Sequence, residues 1–377
     1  FVAAHLPQLN FSSLFLSYTL NGIEFLIGIA LILGLFFNYT ALATLAFMIF
    51  YTILTFILAL FNPVSDCGCF GDAIKLTNWE TFFKNVILLA LIVYVFLNRK
   101  KFNIKLSPKY QYITIGIYII VFYSISFYSY RHLPFFDFMP YSVGSNIKEK
   151  MTVPAGMPVD EYQTQLLYRN KNTKEVKSFT LENYPWQDTL NWEWVETKSV
   201  LVKKGYEPPI HDFDLTDSHG NNLNDSILNF KGYVFLFISD KLNKVDTKSL
   251  FFADTLSMFC SSNPNTRFYA LTASTEHEQQ KIIKQFNLSF TFGNGDETML
   301  KTVIRSNPGI VILSNGTVIA KYSHHDFYKI KFKNDELILS SVLTSQRQKT
   351  EILYSFIFIF LLILLTFFIK EYLVPEN

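Results

Sequence analysis

Two thiols separated by one glycine, Cys67-Gly68-Cys69, are the most concentrated source of chemistry in this sequence. Asp66, Gly71 and Asp72 flank them. A disulfide across a single residue closes a small, tight ring, and strained ring geometry makes the bond easier to reduce, which suits thiol–disulfide exchange. Gly68 supplies the backbone freedom such a ring needs. The neighbouring carboxylates favour the thiol over the thiolate and so work against a highly activated nucleophile. A structural disulfide, or a pair of loop thiols, is the alternative. The remaining cysteine, Cys260, is far along the chain, and three cysteines cannot build a disulfide scaffold. Two sulfurs and two carboxylates lack the further Cys or His ligands of a zinc site; His132 could join them, but no metal is expected.

The elements that hold this loop are membrane spans. Half of the 377 residues are hydrophobic, 17% are charged and 39 are Phe, which indicates a membrane protein carrying a soluble part. A span needs roughly 20 apolar residues. Segments 14–37, 41–61, 82–97, 112–130 and 352–369 meet or approach that length. The first four are joined by short loops, as in a four-helix bundle, and the fifth stands alone. Trp79, Tyr110, Tyr112, Tyr128 and Tyr130 fall where interfacial aromatics belong. Arg99, Lys100, Lys101, Lys105 and Lys109 form the densest basic cluster beside any span and place that loop in the cytoplasm. The Cys67/Cys69 loop then faces outward, where dithiols are kept oxidised. Residues 131–350 share that side, although Arg347 and Lys349 weaken the inference, and the tail 370–377 returns inside. Residues 1–10 lack the charged start and cleavage site of a signal peptide.

Glu24 is the one carboxylate deep within the first span, and Asn21 and Gly28 share its helix face. A carboxylate in hydrocarbon is costly, so this face is expected to turn into the bundle. It suits a proton or a quinone; a protonated Glu bonded to a neighbouring helix is the alternative. The same face keeps open a bundle that binds a small molecule or lipid.

Residues 144–202 are polar, with apolar alternation at 161–168 and 175–180, a turn at 170–173, then Trp186, Trp192 and Trp194. This reads as a small β-rich module without a catalytic motif. From 208 onward strands at 213–215, 233–238 and 267–271 alternate with helices at 248–261 and 276–286. A hairpin at 310–313 and 318–321 follows, turned by Asn315-Gly316. Cys260 falls on the apolar face of a helix and reads as a core residue. His324 and His325 read as surface residues, and His211 as part of the domain's entrance.

The segment Pro209-Ile210-His211-Asp212-Phe213, with Gly220, 232–237 and the Asn307-Pro308-Gly309-Ile310-Val311 run, resembles the thioredoxin-like fold of the peroxiredoxin and TlpA type. The resemblance covers about 208–322 and implies that Pro308 is the cis-proline beside the active site. Where that family places its reactive cysteine, this chain has Asp240, Lys241, Leu242, Asn243 and Lys244. The domain therefore cannot perform its own dithiol chemistry and is expected to bind or dock.

The run 62–72 around the two cysteines, and more weakly 24–28, resembles the DoxX-like and MauE group of small membrane proteins. The whole layout is similar to a DoxX-type protein of the Bacteroidetes. The resemblance implies an inner-membrane protein with a periplasmic domain, one further span before the first, and, for MauE-type proteins, a role in methylamine utilisation and maturation of a disulfide-rich dehydrogenase subunit.

The expected architecture is an α-helical membrane bundle at 1–133, a β-rich module at 134–207, a thioredoxin-like α/β domain at 208–325, a linker at 326–351 and a final span at 352–377. The expected function is a thiol-redox or protein-maturation factor acting through Cys67 and Cys69, with Glu24 serving a quinone or proton. The alternative is a non-enzymatic assembly or docking subunit. Expected partners are membrane lipid and a periplasmic or membrane protein; no basic patch indicates nucleic acid.

Overall fold

The structure, a computed structural model, describes residues 10–63, 76–102, 107–134, 136–159, 161–203, 205–330, 354–355 and 358–359. Four long helices come first: α1 Asn10–Leu33, α2 Phe37–Phe61, α3 Asn78–Leu97 and α4 Pro108–Arg131. Each is long and apolar enough to cross a bilayer. The first span, expected to run to 37, stops at Leu33 because Gly34 and Phe36 both take positive φ and break the helix. The third, expected to be short, gains a full turn at its start. The Thr77 side chain accepts from the Glu80 N–H and the Glu80 carboxylate accepts from the Thr77 N–H, which satisfies two open backbone donors. Of the expected last span at 352–369, nearly all lies outside the described residues.

Few apolar side chains on these helices are covered, as lipid-facing helices require, and specificity comes from polar and aromatic contacts. Between α2 and α3 the buried Asn85 Nδ2 donates to Thr55 Oγ1 at 3.1 Å, and Asn78 Nδ2 donates to Asn62 Oδ1 at 2.8 Å. Between α1 and α4, Phe25 packs on Phe122 with ring centres 5.4 Å apart. Gly22 lets this pair close: a Cβ there would stand 3.1 Å from the Phe122 ring.

These contacts fix which helix ends share a membrane face. The Phe36 N–H, at the turn between α1 and α2, donates to Gln111 Oε1 in the first turn of α4 at 2.6 Å. So α4 starts on the face where α1 ends. It finishes, at Arg131, on the face where α2 ends and α3 begins. The end of α2, the start of α3 and the described chain from His132 to Ile330 therefore lie on one side of the helices.

Beyond α4 a short helix, α5 Ile147–Lys150, precedes an antiparallel sheet of β1 Glu161–Asn170, β2 Val176–Thr180 and β3 Trp192–Lys203 in the order β2-β1-β3. Then come β4 Leu215–Thr216, α6 Asn224–Leu228, β5 Tyr233–Ser239, α7 Thr247–Ser262, β6 Thr266–Thr272, α8 Glu276–Phe286, β7 Phe292–Gly295, α9 Glu297–Val303, β8 Gly309–Ser314 and β9 Thr317–Ser323. These strands form a second sheet, ordered β4-β7-β6-β5-β8-β9. β5 runs parallel to β6 and antiparallel to β8. A β-α-β unit joined to an antiparallel hairpin, with helices on both faces, is a thioredoxin-like α/β arrangement. Both faces of β5 are buried: Val234, Leu236 and Ile238 enter one core, Phe235 and Phe237 the other.

The stretch 134–207, expected as one module, divides in the structure. Tyr141 and Ile147 are buried in the core of the six-stranded sheet. The backbone of 144–147 runs along β9: Gly144 N–H donates to Val318 O at 2.7 Å, and Ile147 N–H to Gly316 O at 2.8 Å. This strap covers an edge strand that would otherwise be open. The three-stranded sheet is an excursion from this domain. Its two ends meet where Tyr206 N–H donates to Pro158 O at 2.7 Å.

Candidate functional site

The end of the domain where a thioredoxin-like fold carries its chemistry is built from the C-terminal tip of β5, the start of α7 and the lead-in to β8. The Asn307–Pro308 bond is cis, as the family resemblance implies, and Pro308 is buried. Among the described residues no thiol stands opposite it. Ser239 Oγ, fully buried at the tip of β5, donates to Asn307 Oδ1 at 2.7 Å. Asn307 Nδ2 then donates to Lys241 O at 3.0 Å. Leu242 turns into the core. Lys241 Nζ pairs with Glu297 Oε1 at 3.0 Å, and Lys301 reaches both Glu297 and Asp240. Hydrogen bonds from Lys301 and Lys241 hold the Glu297 carboxyl below the usual carboxylate range. The site is therefore closed by an amide clamp and a surface ion network, and among the described residues it holds no thiol.

What this end does is touch the membrane helices. β8 and β9 are antiparallel with Gly309 opposite Ser323, so the end of β9 stands beside the cis-proline. Ser306 Oγ donates to Pro308 O at 2.6 Å and lies 3.2 Å from His324 Nδ1. Ser323 Oγ donates to the carbonyl of Arg131, the last residue of α4, at 2.8 Å. His132 Nδ1 lies 2.9 Å from Asp326 Oδ2 and its ring stacks on Tyr128, 4.6 Å between centres. The cis-proline end thus sits on the side of the helices where α2 ends at Phe61 and α3 begins at Asn78.

His324 and His325, expected as separate surface residues, lie with His132 in one cluster. The short helix His324–Lys329 brings their rings to 4.0 Å, and His325 stands 6.2 Å from His132. Sequence spacing could not show this, because His132 comes from another part of the chain. Burial, then the charges of His324, Arg131 and His132, holds the His325 imidazole below its usual range. Its folded value lies under its unfolded one, so the unfolded chain binds more protons in between. The stability present above the unfolded value is lost as the pH falls toward the folded one. The expected result is that the domain's melting temperature drops on acidification from about pH 7.5 to 5, and that His325→Gln flattens this dependence. An unchanged pH profile in the variant counts against the assignment.

Cys67 and Cys69 lie outside the described residues. Their segment is bounded by the Asn62–Asn78 amide pair, which brings its two ends together. Cys260 lies on the buried face of α7 as expected, and burial pushes its thiol up to about 11. A maleimide is expected to leave Cys260 unmodified in the folded protein and to label it only after denaturation. His211 is exposed in the lead-in to β4. Glu24 and Asn21 are exposed, and a Cβ added at Gly28 would meet nothing within 4 Å. Among the described residues this face is not covered by another helix, contrary to the expectation that it turns into the bundle. α1 instead uses the face of Gly22 and Phe25 against α4. Among the described residues no group of His, Cys, Asp and Glu could hold a metal ion.

Residues 2–98 match the family described as methylamine utilisation protein MauE, and residues 162–204, the three-stranded sheet, match a domain of unknown function (DUF8463). With its four apolar helices, the chain is a multi-pass membrane protein carrying a thioredoxin-like domain. Among solved structures it is similar to a thiol-disulfide oxidoreductase from Bacteroides fragilis, at 21% identity over 29% of this chain and 86% of that one, with a TM-score of 0.25. It is also similar to a secreted disulfide oxidoreductase from Mycobacterium tuberculosis, at 18% identity over 35% and 96%, with a TM-score of 0.26. The strand order, not these likenesses, defines the fold. No curated protein matches the chain.

Proposed function

We propose that this protein is a thiol-redox or maturation factor of the inner membrane, with Cys67 and Cys69 as its exchanging pair and its soluble domain on the extracytoplasmic side. One observation carries the reading. The domain's cis-proline end is bonded to Arg131 and His132, on the side where α2 ends and α3 begins, the two helix ends that bound the cysteine segment. On this reading the thiols and the client-presenting fold are separate in sequence and work on one membrane surface. The MauE match over 2–98, which includes the cysteine loop, supports placing the chemistry in the membrane part. The basic cluster around Arg99 supports the orientation.

In the exchange, a client thiolate attacks one sulfur of the Cys67–Cys69 disulfide and forms a mixed disulfide. The second client thiol resolves it, leaving an oxidised client and two reduced loop thiols. The loop is reoxidised by a two-electron acceptor, a membrane quinone that takes up two electrons and two protons to become quinol. Glu24, at mid-depth and accessible from the lipid, is the group that would pass a proton to it. In nanodiscs containing quinone, the purified protein is expected to oxidise a reduced dithiol peptide.

A second reading, an assembly or docking subunit, is favoured by the closed Asp240–Lys241–Glu297–Lys301 network. It prevails if the purified protein neither oxidises the peptide nor forms a mixed disulfide with it.

A further inference from the structure

Between the end of α4 and the strap along β9, the chain leaves Phe136 and Phe138 on the surface. Their rings are stacked almost parallel, 6.1 Å apart, and Phe138 is 60% exposed. Two contacts of Asp137 hold them outward. Asp137, between them, accepts a bond from the buried Lys321 Nζ at 2.8 Å, and its other oxygen accepts from the Met139 N–H. Residues on either side of an inward-turned anchor in extended chain point away from it. On the helix His324–Lys329, Phe327 is buried while Tyr328 is 72% exposed, with the Lys329 ammonium 5.7 Å from its ring centre.

These three aromatics are tied to the membrane boundary. His132 is the residue after α4, and Asp326 bridges it to Lys329 at 2.9 and 2.6 Å. Phe136 lies four residues beyond His132 and cannot stand more than about 14 Å from it. Phe127 and Tyr130, in the last turns of α4, are exposed as well, and the Arg131 guanidinium lies 5.4 Å from the Phe127 ring centre. The acids in this region, Asp137 and Asp326, are already engaged by Lys321, His132 and Lys329. Cations among exposed aromatics at the end of a span match the headgroup layer of a bilayer.

We infer that the underside of the thioredoxin-like domain is a lipid-binding surface. Phe136, Phe138 and Tyr328 enter the headgroup layer, and Arg131 and Lys329 lie at the level of the phosphates. The occupant is lipid because the patch is continuous with a membrane-spanning helix. The consequence is that the domain rides on the bilayer with its cis-proline end held low.

The test uses the full chain in nanodiscs, with Phe138→Trp and Tyr328→Trp made singly and the wild-type emission subtracted. Leu190→Trp, on the three-stranded sheet where Leu190 is 87% exposed, is the water-facing control. The expected result is that both underside tryptophans emit at shorter wavelength than the control, lose emission when acyl chains are brominated, and resist aqueous iodide. The inference is overturned if they behave like Leu190→Trp. It is equally overturned if they are shielded from both quenchers, which means that protein covers the patch. Should Tyr328→Trp fail to fold, Phe136→Trp gives the same reading from the other side of the Asp137 anchor.

Discussion

Serine at either Cys67 or Cys69 is expected to reduce dithiol oxidation to background, and the two variants are expected to differ in what they leave behind. Disulfide exchange passes through a mixed disulfide that is resolved by a neighbouring thiol. Offered the dithiol peptide in its disulfide form, the variant that retains the exchanging cysteine attacks that disulfide, releases one peptide thiol and stays covalently attached. In the other no adduct accumulates. Non-reducing gels with mass spectrometry of the trapped species separate the two. The trap defines the attacked sulfur and, in cells, captures the client itself. With carboxylates at 66 and 72 beside them in sequence, alkylation of the reduced pair is expected to quicken with rising pH rather than saturate below neutrality. Equal behaviour of both variants, with no adduct from either, contradicts an exchanging pair.

Asp137→Ala is expected to destabilise the soluble domain strongly. Lys321 is buried, its side chain 3% exposed, and Asp137 is its ion-pair partner. Burial pushes the ammonium below its usual range while Asp137 pulls it back. Removing one partner of a buried pair leaves an uncompensated charge and typically costs about 3–5 kcal/mol. For a domain of this size that is a fall of roughly 6–20 °C in melting temperature. Replacing both partners with apolar residues, Asp137→Leu with Lys321→Met, is expected to restore most of it, because a well-packed apolar pair is often no less stable than a buried ion pair. A single variant that melts with the wild type would show that the strap does not rely on this contact.

Most of the fold was legible because its signals are local. The helix Glu276–Phe286 starts at a capping box, Thr275 with Glu278, and ends at Asn287 in the left-handed region. The hairpin of β8 and β9 turns at Asn315 and Gly316, both with positive φ. β7 was not legible. Its Phe-Gly-Asn-Gly sequence resembles a turn, yet it is a strand because the backbone of Thr216 comes so close that a Cβ at Gly293 would stand 2.6 Å from its carbonyl oxygen. The strap at 137–151 was equally hidden, since its partners lie some 170 residues on, at Asn315 and Thr317. For the site, the missing thiols after β5 and the cis-proline could be read from the residues themselves. The docking of that end on α4 could not, because Ser323–Arg131 and His132–Asp326 are pairings that sequence spacing does not encode.

The orientation of Glu24 shows the same division. Its place in a span is evident from the sequence, but which face of α1 meets α4 is set by Gly22 and Phe25, which admit the Phe122 ring. A carboxyl left on the outer face is available to a lipid-soluble molecule in a way that a bundle-facing one is not.

The central claim is that Cys67 and Cys69 exchange electrons in the working protein. The most direct measurement is their redox state in cells, by acid quenching and maleimide trapping before and after reduction, with quinone present and depleted. The account predicts a disulfide that opens to two thiols when quinone is withdrawn and closes when it returns. A disulfide that stays shut, or two thiols that stay reduced, in both conditions contradicts it.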